Sequence, residues 1–132
     1  MNILLETPYY NCSLAFVDVK LNDQDHFECL AIANSGWLSC ERPLSFSRNN
    51  GKMFVNKIKK INKPFKMVAK LEDSRKNLVI SMESTAPGMV MVSGEFVEHS
   101  EFSQKATFGF NIEKAGLNEF LKQMDTLLAQ KS

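Results

Sequence analysis

The chain is short of the residues from which most active sites are built. It has two histidines, His26 and His99, and three cysteines, Cys12, Cys29 and Cys40, in 132 residues. A structural zinc site needs four Cys or His ligands, usually clustered in pairs, and this pattern offers none. The cysteines are odd in number, widely spaced and lack a C-x-x-C pair. They read as free thiols of a reducing compartment, one or two of them buried in strands. There is no Gly-rich phosphate loop, no G-x-S-x-G and no H-E-x-x-H, which removes the nucleotide-binding, serine-hydrolase and zinc-protease templates. No catalytic residue, metal or cofactor is therefore expected. No apolar run approaches the ~20 residues that a membrane span needs. The opening Met1-Asn2-Ile3-Leu4-Leu5-Glu6 has no basic lead and meets an acid at once, so no signal peptide is expected. Asn11-Cys12-Ser13 matches a glycosylation acceptor, which means nothing without secretion. Repeats, low-complexity tracts and linkers are also missing.

What the chain does have is apolar periodicity. Its length suits one domain, and the stretch around Phe65–Ile112 alternates with period two. Lys66–Glu72 sets Met67, Ala69 and Leu71 against Lys66, Lys70 and Glu72. Leu78–Glu83 turns Leu78, Ile80 and Met82 one way, and Thr85-Ala86-Pro87-Gly88 closes a hairpin. Met89–Glu98 has Val90, Val92 and Phe96 on one face, with Gly94 marking a bulge or a close backbone approach. Gln104–Ile112 has Ala106, Phe108, Phe110 and Ile112 on one face. Short polar turns between these segments predict an up-and-down meander.

The first half carries three further strands. Ser13–Leu21 places Ala15, Val17, Val19 and Leu21 together, and His26–Ala33 follows. Trp37–Phe46 is interrupted by Pro43, which puts it at an edge or a bulge. Met1–Tyr10 shows no pattern. In Ser47–Asn62 the residues Phe54, Ile58, Ile61 and Phe65 form a helical stripe. Ser47 or Asn49 would cap that helix and Pro64 would stop it. Asn50-Gly51 as a type I′ hairpin turn is the competing reading. Leu117, Phe120, Leu121, Met124, Leu127 and Leu128 make a clear C-terminal stripe starting near Gly116, expected to lie on the second-half strands. Leu121→Ala would then cost roughly 2–5 kcal/mol. The whole predicts an α+β domain with a mainly antiparallel sheet of about seven strands. Its order is three strands, helix, four strands, helix, with the C-terminal helix packed on the sheet.

Charge is the other signal. Residues 48–76 carry ten basic side chains and two acids, a net of +8, while residues 1–47 carry −4 and residues 77–132 carry −3. The overall +1 hides a dipolar molecule. A lysine-rich helix end is often only a solvated face, but it also suits an acidic partner. Lys57, Lys59, Lys60 and Lys63 are the candidate binding residues. Phe54 and Phe65 belong to the apolar stripe rather than to the lysines, which argues against base stacking and hence against nucleic acid. Glu83, Glu95, Glu98 and Glu101 read as a wet sheet face and hairpin end. An exposed sheet edge would leave room for a homodimer.

Several segments together resemble a known family. They are Phe54-x3-Ile58-x2-Ile61, Met67-Val68-Ala69-Lys70-Leu71-Glu72, and the run Pro87-Gly88-Met89-Val90-Met91-Val92-Ser93-Gly94-Glu95-Phe96. Phe108-Gly109-Phe110-Asn111-Ile112 and Leu117-x2-Phe120-x3-Met124-x2-Leu127 complete the set. In this order and length the sequence resembles the WapI family of bacterial immunity proteins and related small α+β domains. The resemblance implies a non-enzymatic cytoplasmic protein that occludes a cognate toxin domain. The basic stretch departs from that pattern, since many immunity proteins are acidic. A nucleic-acid-associated or small-ligand-binding domain is the alternative.

Overall fold

A computed structural model describes residues 1–9, 11–61 and 67–131. The chain forms two four-stranded antiparallel sheets, each a simple meander followed by a helix. The first sheet contains β1 (Ile3–Glu6), β2 (Cys12–Leu21), β3 (His26–Ser35) and β4 (Leu38–Ser47), and α1 (Arg48–Lys59) follows it. The second contains β5 (Val68–Glu72), β6 (Leu78–Ala86), β7 (Met89–Glu98) and β8 (Gln104–Glu113). A 3-10 turn (Lys114–Leu117) then leads into α2 (Asn118–Leu128). The expected single sheet of about seven strands is thus corrected to eight strands in two sheets, and the order to four strands, helix, four strands, helix. The extra strand is β1. It is four residues long, and two of them, Ile3 and Leu5, are fully buried. So short a segment gives no readable period.

The second meander follows its alternation closely. Leu78, Ile80, Met82, Val90 and Val92 all point into the core. Pro87-Gly88 makes the tight turn, with Gly88 at φ +77°. β2 departs from the expected faces. Leu14 and Phe16 are buried, then Val19, because Asp18 and Val19 stand opposite a single residue of β3. Asp18 takes φ +55° at this bulge, and Asn2 accepts its N–H at 2.9 Å. The extra residue switches which parity faces inward. Pro43 lies in the edge strand β4 with no shift of register, so the edge half of its expectation holds. Trp37 sits in the turn before β4 and is exposed.

α1 is a helix rather than a hairpin. Ser47 caps it by accepting the Asn50 N–H at 3.1 Å. Gly51 is there for closeness: a Cβ would lie 2.7 Å from Leu128 Cδ2 and 3.0 Å from the Phe46 ring. The expected Phe65 contact and Pro64 stop lie outside the described residues. α2 packs on the first sheet, where Phe120 meets Phe16 edge-on at 6.1 Å between ring centroids. α1, in turn, lies beside β5 of the second sheet. Each helix therefore lies against a strand of the other half's sheet, α1 against the edge strand β5 and α2 against β1.

Arg48 fastens several elements at once. Its guanidinium donates to both Asp25 carboxylate oxygens (2.9–3.1 Å) and to the Leu128 carbonyl, and lies over the Phe27 ring. The hydrogen bond from Arg48 holds the Asp25 carboxyl below its usual range. That contribution is present above the ordinary carboxylate pKa and is lost only as the pH falls below it.

Gly94 has no register shift around it, so it is the close approach rather than the bulge. An added Cβ would sit 2.3 Å from Phe108 Cε1 and 2.7 Å from the Val79 carbonyl oxygen. Gly94→Ala will therefore destabilise the fold by about 1–3 kcal/mol, read from a urea midpoint. An unchanged midpoint would mean that Phe108 is not held over this strand.

Candidate functional site

α1 presents two flanks, set by its 3.6-residue period. Lys52, Asn56 and Lys59 turn towards α2, where Lys59 Nζ pairs with Asp125 Oδ2 at 2.8 Å. Asn50, Met53, Phe54 and Lys57 turn towards β5 and form one wall of a cleft of about 250 Å³. Lys70 and Glu72 of β5 form the other wall. Lys60 falls seven residues after Met53 and three after Lys57, on the same stripe. It stands at the helix C-cap, exposed. Its position and that of Lys57 in the last turn suit the negative end of the helix dipole.

The four candidate lysines are thus divided. Lys57 and Lys60 are exposed on the β5 flank, Lys59 is taken up by Asp125, and Lys63 lies outside the described residues. Met53, Lys70 and Glu72 belong to the same surface and were not expected there. Met53 is 50% exposed, an apolar side chain just off the buried stripe of Phe54 and Ile58. That offset is the signal the sequence carried. Lys57, Lys60 and Lys70 have no ion-pair partner among the described residues.

The acids of the second meander are spread over its wet surfaces. Glu95 pairs with Lys105 at 3.0 Å, and Glu98 and Glu101 are exposed near the β7–β8 turn. Among the described residues, no group of three His, Cys, Asp or Glu side chains could hold a metal ion. No helix of the described residues is long and apolar enough to cross a membrane. A second cleft of about 190 Å³ lies where β4 crosses β7 and β8, lined by Cys40, Arg42, Phe96 and Gln104 among others.

The three cysteines are free. Burial, and then the negative charge of Asp73, push the Cys29 thiol up to about 12. At pH 8 only about one molecule in ten thousand would carry the Cys29 thiolate. Cys29 will therefore stay unmodified by iodoacetamide in the folded protein at pH 8 and react on unfolding. Rapid alkylation of the native chain at this position, mapped by mass spectrometry, would contradict its burial. Folding disfavours this thiolate. Stability is therefore unaffected by the group below pH 9 and declines as the pH rises towards 12.

No protein-family model matches this sequence, and no curated protein matches it either.

Proposed function

We propose that this chain is a non-enzymatic binding protein that docks an acidic segment of a partner protein on the β5 flank of α1. In the cytoplasm it would act in the manner of an immunity protein occluding a cognate toxin domain, as the family resemblance implies. The observation that carries the reading is unneutralised charge beside a groove. Lys57 and Lys70 border the α1–β5 cleft, Lys60 continues the stripe, and Met53 offers an adaptable apolar contact. Three other basic groups are tied to the fold, Arg48 to Asp25, Lys59 to Asp125 and Lys105 to Glu95, and what sets Lys57 and Lys70 apart is that they face each other across one cleft. A protein fits this surface better than nucleic acid. Among the described residues the exposed aromatics Tyr9, Trp37 and Phe102 stand on hairpin turns outside α1, so no described aromatic of that helix offers bases an exposed ring beside the lysines.

Lys57→Glu combined with Lys60→Glu will slow association with the cognate partner about tenfold or more at low salt and flatten its salt dependence. Both side chains are exposed, so the unfolding midpoint should stay where it is. An association rate constant and salt slope equal to wild type would remove this flank from the interface.

A further inference from the structure

Every sheet of this topology ends in open strands, and the molecule deals with them unequally. In β1, the Leu4 N–H donates to Gln123 Oε1 at 2.9 Å. In β4, the Ser45 N–H donates to Asp73 Oδ1 at 2.7 Å, and the Ser45 carbonyl accepts from the Ser74 N–H at 2.8 Å. In β8, the Ser35 hydroxyl donates to the Gly109 carbonyl at 2.7 Å. Each plug occupies a group that would otherwise invite another strand.

β5 has no such plug among the described residues. The Asp73 N–H donates to the Leu78 carbonyl at 2.9 Å, which fixes the phase of the β5–β6 ladder. By the alternation of an antiparallel pair, Ala69 and Leu71 bond to β6, while Val68, Lys70 and Glu72 turn N–H and C=O to the open edge. The cleft wall formed by Asn50, Met53 and Lys57 faces the two edge residues Lys70 and Glu72. From Asn50 to Lys57 the helix runs about 10 Å, the length of about three residues of extended chain.

We infer that β5 is an acceptor edge: an extended, acidic segment of the partner adds to it as a further strand, in the groove against α1. Main-chain hydrogen bonds to Lys70 and Glu72 would supply the pairing. Lys57 and Lys70 select carboxylates, and Met53 receives one apolar side chain. This rests on the lysine-flank reading above and adds the conformation of the bound segment.

The test uses the full chain and a random peptide library displayed on phage, selected at low salt. Enriched sequences are expected to place Asp or Glu around an apolar residue. A synthetic copy of one should slow hydrogen exchange at the Lys70 and Glu72 amides and lose affinity to Lys57→Glu. Methylating alternate peptide nitrogens of that copy removes ladder donors and keeps every side chain. On one of the two alternate sets it should weaken binding about tenfold or more. A peptide that is sensitive to Lys57→Glu, tolerates methylation of either set and leaves both amides exchanging freely overturns edge pairing and spares the lysine reading. Enrichment of no acidic sequence, or binding indifferent to Lys57→Glu, overturns both.

Discussion

Replacing Asp73 by alanine will lower the unfolding free energy by about 3 kcal/mol, since it takes the acceptor from one buried N–H and two part-buried ones at once. The side chain is only 2% exposed. One oxygen accepts from the Ser45 N–H at 2.7 Å, and the other from the Arg75 and Asn77 N–H groups at 3.0 Å each. Those bonds do two jobs. Within the second sheet they shape the turn between β5 and β6, which also holds Lys76 at φ +61°. Across the molecule they fasten that turn to the free edge of β4, with Ser74 completing the seam through its N–H and hydroxyl on the Ser45 carbonyl. Asp73→Asn keeps one acceptor and presents an amide to a donor, so it should fall between wild type and alanine. The measurement is a urea midpoint at constant slope. A loss for alanine under about 0.5 kcal/mol would mean the two sheets are not joined here.

The second large effect is expected at Phe120. Phe120→Ala will cost about 3–5 kcal/mol, whereas Leu121→Ala, one residue further, will cost well under 2 kcal/mol. Phe120 is 1% exposed and lies against Phe16. Leu121 is only partly buried at the margin of the core. The core contacts of α2 are Phe120, Met124, Leu127 and Leu128, with Leu117 of the preceding turn buried beside them. The stripe read from spacing alone placed Leu121 among them. Equal costs for the two substitutions would mean that α2 is rotated from this position.

The parts of the fold legible in the sequence are those where one physical rule acts alone. β7 and β8 alternate throughout and β6 does so until its register shift between Ser84 and Ala86, and the Ser47 cap with the Phe54–Ile58–Ile61 stripe marks α1. The parts that were not legible depend on contacts between distant residues. Nothing local says that Ser45 is sealed by Asp73 and not by another strand, so two sheets read as one. Nothing in a helical stripe names the sheet it will cover, and α2 lies on the first sheet rather than the second. Asp18 reverses the faces of β2 through a backbone conformation that an aspartate only tolerates. The candidate site divides in the same way. Lys57 and Lys60 stand out as charge, but the partner of Lys59 is on α2. Lys70 and Met53 become neighbours of Lys57 only once α1 is laid beside β5.

The central claim is that, among the described residues, the open edge of β5 is unoccupied while each of the other sheet edges has a main-chain group taken up by a plug. Residue-resolved amide hydrogen exchange of the free protein tests it most directly. The account predicts fast exchange at Lys70 and Glu72, close to that of an unstructured peptide, and slow exchange at Leu4 and Ser45. Protection of Lys70 and Glu72 comparable to that of Leu4 and Ser45 would show β5 already paired and contradict the account.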